Sequence, residues 1–229
     1  MVQSNLLLAL VSTGVVLLDG SAYAQVSVPA PQEPLQPSPA QAPIAVFPRD
    51  AANRHTGFFI RPDIGLGYAS SSASSGTTSV TISGMAGFAG VSIGGAVTEN
   101  LILAGRLYAV VVNNPTVSVN GVSASTSNAQ ASMSGLGPEL TYYFVPANVY
   151  LSACLAMTKQ STEQNGVQTN TEIGVGAEFA VGKEWWVSSH WGLGLAGRVS
   201  VSANKDTGAT NAPTWDALGV AALFSASYN

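Results

Sequence analysis

Residues Trp191–Val201 read WGLGLAGRVSV, and the architecture follows from their alternation. One alternate set of positions is Trp191, Leu193, Leu195, Val199 and Val201; the other is Gly192, Gly194, Ala196, Arg198 and Ser200. A period of two marks a β-strand whose two faces meet different surroundings. The unusual feature is which face is greasy. The bulky apolar face has no charge, and the only charge, Arg198, sits among Gly, Ala and Ser. A half-buried soluble strand turns a polar, charged face to water, and this small, nearly neutral face is a poor candidate for that.

The pattern recurs along the chain. In Phe58–Tyr68, the face Phe58, Ile60, Pro62, Ile64, Leu66, Tyr68 opposes Phe59, Arg61, Asp63, Gly65, Gly67. In Leu101–Val112, Arg106 lies on the face opposite Leu101, Leu103 and Leu107. Leu136–Phe144 sets Glu139 against Leu136, Leu140, Tyr142 and Phe144, and Ile173–Val181 sets Glu178 against Ile173, Val175, Phe179 and Val181. Met85–Val97, Val149–Thr158 and Trp215–Tyr228 are weaker examples. Short turns are expected at Thr98-Glu99-Asn100, Pro146-Ala147-Asn148 and Ser188-Ser189-His190. Long polar loops are expected near Ser70–Ser79, Asn113–Ser127, Gln160–Asn170 and Ser202–Pro213. Turns and loops alternate, with about 45 residues from one short turn to the next and from one long loop to the next, and seven connections imply eight strands. Short turns at one end and long loops at the other form the pattern of an outer-membrane barrel, with both termini in the periplasm.

Composition points the same way. Of 229 residues, 46% are hydrophobic and only 9% charged, with mean hydropathy +0.27, whereas soluble domains carry about 25% charged residues. A net charge of −4 supplies no basic footprint for nucleic acid. Beyond the first 20 residues, Gly, Ser, Thr and Asn interrupt every apolar stretch, so none reaches the roughly 20 residues that a membrane helix needs. A barrel that crosses lipid with alternating strands reconciles the two. The competing architecture is a soluble lipocalin-like barrel with its apolar face inward. The location of the charges argues against it, because Arg61, Asp63, Arg106, Glu139, Glu178 and Arg198 all share the small-residue face. That face is therefore expected inside, giving an all-β, eight-stranded, antiparallel, up-and-down transmembrane barrel over residues 55–229.

Eight strands leave a lumen just wide enough for side chains to fill. The six inward charges sum to zero, and an unpaired charge there is costly, so a paired plug is expected. Counting from the turns pairs Arg106 with Glu139, Glu178 with Arg198, and Arg61 with Asp63. A narrow pore gated by one of these pairs is the competing reading. Tyr142, Phe144, Trp185, Trp186 and Trp191 cluster beside the short turns and are expected to form an aromatic girdle at the lipid–water interface. Lys183 and Glu184 are expected beside them at headgroup level.

The N-terminus reads as a leader. Leu6–Leu18 is apolar, and Ser21-Ala22-Tyr23-Ala24 precedes Gln25, the small-residue pattern of signal-peptidase cleavage between Ala24 and Gln25. A basic start is missing, since no Lys or Arg precedes Arg49. Residues 25–54 are Pro-rich and aperiodic, a periplasmic linker. A lone Cys154 excludes an internal disulfide or a cysteine metal site. His55, ahead of the first strand, is expected to be solvated or interfacial. His190 beside Ser188 and Ser189, with Glu184 nearby, is a weak echo of a Ser–His–carboxylate set; no catalytic residue, metal or cofactor is expected.

Three runs carry a resemblance: Gly135–Phe144 (GLGPELTYYF), Gly182–Val187 (GKEWWV) and Trp191–Gly194 (WGLG). With them, residues 57–229 resemble the small outer-membrane β-barrel proteins of Gram-negative bacteria. The resemblance implies location in the outer membrane, contact with its lipid and lipopolysaccharide, and recognition of the final strand, Ala217–Tyr228, by the barrel-assembly machinery. The chain ends in Asn229 instead of the usual terminal aromatic, and no peptidoglycan-binding domain is expected after the barrel. That family holds anchors, adhesins, narrow pores and a few lipid enzymes. A structural or surface-interaction protein leads, a low-conductance channel follows, and a lipid-modifying enzyme is third.

Overall fold

The computed structural model describes residues 55–145, 147–207 and 212–229. The expected leader, its cleavage point at Ala24 and Gln25, and the linker at 25–54 lie outside the described residues. Among those described there is no helix. Eleven strands form: β1 (Phe58–Ser75), β2 (Thr78–Thr98), β3 (Leu101–Asn113), β4 (Thr116–Val119), β5 (Val122–Ser125), β6 (Ala129–Phe144), β7 (Val149–Gln164), β8 (Val167–Asn170), β9 (Gly174–Trp186), β10 (Trp191–Lys205) and β11 (Thr214–Tyr228). Three of them, β4, β5 and β8, are four-residue pieces. The other eight pair antiparallel in the order β1-β2-β3-β6-β7-β9-β10-β11, and β11 returns to β1 through registers such as Leu66↔Ala222. The sheet is closed, so no strand edge is left unpaired around the wall. Closure is what a sheet needs in lipid, where an unsatisfied backbone N–H or C=O costs several kcal/mol.

Side-chain direction follows the alternation read from Trp191–Val201. In β10 each odd position faces out and each even position is buried up to Ser202. The outer wall of the eight strands is Leu, Val, Ile, Phe and Met, with Leu66 71% and Leu155 71% exposed. Along β10, Trp191 to Val201 is ten residue steps. At a rise of about 3.3 Å per residue and a tilt of about 40°, this is an apolar band about 25 Å tall. A lipocalin-like arrangement is excluded, because the apolar face is outside.

The connections correct part of the expectation. The short turns fall where the sequence puts them, and β1 begins and β11 ends at that same end of the barrel. Three of the four polar stretches are not long irregular loops; the fourth, Ser202–Pro213, lies partly outside the described residues. β1 and β2 continue through Ser70–Ser79 as one hairpin closed at Gly76-Thr77. The segment 113–127 contains the β4–β5 hairpin, and 160–170 contains the β7–β8 hairpin. Both have Asn-Gly tips in which the two residues take positive φ: Asn120 (50°) with Gly121 (85°), and Asn165 (52°) with Gly166 (81°). This is a type I′ turn, whose twist matches that of paired strands. Beyond the apolar band both faces of a hairpin are wet, so hydrophobic alternation disappears while backbone pairing continues.

Candidate functional site

The lumen is where the sequence concentrates its chemistry. Inward parity brings Arg61 and Asp63 from β1, Arg106 from β3, Glu139 from β6, Glu178 from β9 and Arg198 from β10 into one buried cluster. Arg106 is its centre. Its Nη1 and Nη2 donate to the two oxygens of Asp63, at 2.8 Å and 3.2 Å, and its Nε donates to Glu178. Ser92 accepts a further bond from Nη1 at 3.2 Å, and Glu139 lies 3.6 Å from Nε. Arg198 donates to Asp63 at 3.1 Å and lies 3.7 Å from Glu178. Arg61 donates to Glu139 at 2.7 Å and to Thr141 at 3.2 Å, with its guanidinium 4.4 Å from the centre of the Tyr150 ring.

The pairing expected by counting along strands is therefore corrected. Arg61 and Asp63 share a face of β1 but take different partners, because an arginine side chain spans a narrow lumen more readily than it folds back along its own strand. Arg106 with Glu139 and Arg198 with Glu178 are secondary approaches within a network that every member shares.

Glycines shape the space. A Cβ on Gly135 would stand 2.3 Å from Cζ of Tyr108, and one on Gly182 would stand 2.5 Å from Cζ of Tyr150. On Gly90 it would meet Nη2 of Arg106 at 2.6 Å. These contacts are shorter than van der Waals separation, so the rings and the guanidinium lie where only glycine leaves room.

Three further placements differ from expectation. Glu184, expected at headgroup level, is 2% exposed and inside the barrel, accepting from Tyr143 at 3.1 Å and Ser227 at 2.8 Å. It lies 3.9 Å from Arg61, so three arginines face four carboxylates and the network is not neutral in formal charge. The reason is parity: Glu184 lies six residues from Glu178 on β9, so it shares the inner face. Trp186, expected in the girdle, follows the same parity and sits inside, 5.2 Å from the His55 ring. Trp185, Trp191, Tyr142 and Phe144 face outward, 45–49% exposed. Lys183 also leaves the lumen, with Nζ over the Trp185 ring at 5.7 Å and bonded to the Ala147 carbonyl.

His55, expected to be solvated or interfacial, is 1% exposed, so only the solvated alternative is corrected. It stacks on Tyr143 at 3.6 Å, and its ring nitrogens lie 2.9 Å from Oδ1 of Asn229 and 3.0 Å from Oδ1 of Asn148. It caps the short-turn mouth of the barrel. The signal that identifies it is its position directly before β1 among the aromatics of that mouth. His190 is exposed, with Nδ1 2.8 Å from Ser189 Oγ. Glu184 is held in the lumen, so the Ser–His–carboxylate arrangement is not assembled from it.

At the opposite end, above the charges, lies a cavity of about 130 Å³ lined by Val110, Val112, Met133, Gln160, Trp215 and their neighbours. Among the described residues no group of His, Cys, Asp and Glu is arranged to hold a metal.

Comparison with solved structures places the backbone beside neisserial surface protein A, at 15% identity and TM-score 0.44, over 76% of this chain and 98% of that one. The outer membrane protein OprG of Pseudomonas aeruginosa matches at 11% identity and TM-score 0.45, over 78% and 99%. The attachment invasion locus protein Ail of Yersinia pestis matches at 10% identity and TM-score 0.35, over 74% and 99%. No family model and no curated protein matches the sequence. The strand pairing and the apolar exterior described above are by themselves those of a closed eight-stranded antiparallel transmembrane β-barrel.

Proposed function

We propose that the protein is an integral outer-membrane barrel with a side-chain-plugged lumen, and that its role is carried by the polar hairpins at the end away from the termini. The observation that carries this reading is the cross-lumen network. Arg61, Arg106 and Arg198 are each within salt-bridge distance of at least two carboxylates. Such a filled interior anchors a wall and leaves no continuous aqueous path through it. The hairpins offer Ser, Thr, Asn and Gln, with every residue of β5 exposed, which is a surface suited to contact rather than to chemistry. In this reading the apolar wall meets lipid and lipopolysaccharide, the β11 strand addresses the assembly machinery, and the short turns and both termini face the periplasm.

Recording in planar lipid bilayers with the refolded protein tests the plug. The expected trace has no discrete steps; regular steps of fixed size mean a narrow pore instead. Orientation has its own test. Ser123→Cys at the β4–β5 hairpin should react with a membrane-impermeant maleimide on intact cells, while Cys154, buried in the lumen, should not.

A further inference from the structure

The cavity at the hairpin end is a built site. Its walls are Val110 and Val112 of β3, Met133 of β6 and the indole of Trp215 on β11, all inward-facing. Gln160 of β7 crosses the lumen there and is 8% exposed. Its Nε2 lies within hydrogen-bond distance of Ser202 (3.3 Å), Asn204 (3.1 Å) and the Trp215 carbonyl (3.2 Å), while Ser71 donates to its Oε1 at 2.7 Å. A carboxamide oxygen has two lone pairs, so Oε1 keeps one for another donor. Among the described residues the one charged residue in the lining is Asp206, which accepts from the Trp215 indole at 3.4 Å and from the Thr207 backbone at 2.8 Å. Among the described residues no cation lines the cavity.

We propose that this cavity binds a small neutral aromatic molecule bearing one hydroxyl, of the size and kind of phenol, entering from the hairpin end. Size, surface and polarity each contribute. The volume of about 130 Å³ is close to that of an engineered apolar protein cavity, about 150 Å³, that takes up benzene. Met133 sulfur and the Trp215 ring are favourable neighbours for an aromatic face, and the free lone pair of Gln160 accepts the hydroxyl proton. An anionic analogue would bring a negative charge toward Asp206 into a site without a cation, which disfavours it. Binding at this cavity is separate from the surface role proposed above, since it is measured on the folded barrel whichever way the barrel faces.

The methionine methyl groups supply the test. Met133 lies in the cavity, whereas Met85 and Met157 are on the outer wall. With the full-length protein in lipid nanodiscs and methyl-labelled methionine, phenol is titrated and the resonances of Met85, Met133 and Met157 are followed. The expected result is a saturating shift of Met133, with Met85 and Met157 moving only in proportion to phenol dissolved in the lipid. Benzoate should bind more weakly by about tenfold or more. Val112→Trp, which fills the cavity, should abolish the Met133 response. Ala131→Leu serves if that variant does not fold, as judged by its gel migration before and after boiling. The proposal is overturned if Met133 moves only in step with the lipid-facing methionines, if the filled variant responds unchanged, or if benzoate binds as well as phenol.

Discussion

A missing Cβ decides where Tyr108 lies: Gly135, its cross-strand partner on β6, leaves the space its ring occupies. Gly135→Ala should therefore destabilise the barrel by about 1–3 kcal/mol, the range for overpacking. The same change in a Tyr108→Val background should cost much less, because the clash is with the ring; equal costs in the two backgrounds would refute the coupling. Charge removal has a different signature. Arg106→Met leaves Asp63 and Glu178 without their principal donor and should cost about 3–5 kcal/mol in urea unfolding from lipid. Arg198→Met should cost less, since Arg106 continues to serve both carboxylates. Which residues carry charge inside was legible from alternation alone. Their partners were not, because pairing across a lumen depends on the barrel's closure and on side-chain reach, neither of which is written in the spacing along one strand.

At the level of the element, β10 displays the lipid's profile in its odd positions. Leu195→Arg, in the middle of the band, should destabilise by about 2–4 kcal/mol, and Arg at Trp191 or Val201 by only about 0–1 kcal/mol. A flat profile along β10 would show that this wall does not face hydrocarbon. The hairpins beyond the band obey turn chemistry instead. Gly166 has φ +81°, and Gly166→Ala should fray the β7–β8 tip by about 1 kcal/mol. Hydrogen exchange would then speed up at Val167 and leave the paired residues of β10 unchanged. The extent of these hairpins was hidden from hydrophobic alternation, yet Asn120-Gly121 and Asn165-Gly166 carried the signal for the β4–β5 and β7–β8 tips. Parity likewise contained the inward direction of Glu184 and Trp186. Proximity to the short turn had suggested an interfacial position, and alternation along β9 outweighed it.

For the whole molecule, closure has a gross consequence. A barrel whose β1–β11 seam is hydrogen-bonded unfolds only when the entire ring opens, so an unboiled sample should migrate apart from a boiled one on a detergent gel. Identical migration would contradict the closed sheet. The four tryptophans report the two surfaces of the wall. In single-tryptophan variants, brominated lipid should quench Trp185 and Trp191, which face out, and largely spare Trp186 and Trp215, which face in. Quenching of Trp186 as strong as that of Trp185 would return it to the girdle.

Alternation and spacing along the chain are enough to specify the wall: a strand in lipid must alternate, must exclude charge from its outer face and must be one of an even, closed set. Those are local or counting constraints, visible in Trp191–Val201 and in the spacing of turns. What the wall encloses is settled by contacts across the lumen. His55 became a cap, Glu184 a fourth carboxylate and Gln160 a strut beneath a cavity, because residues far apart in the chain meet only when the last strand pairs with the first.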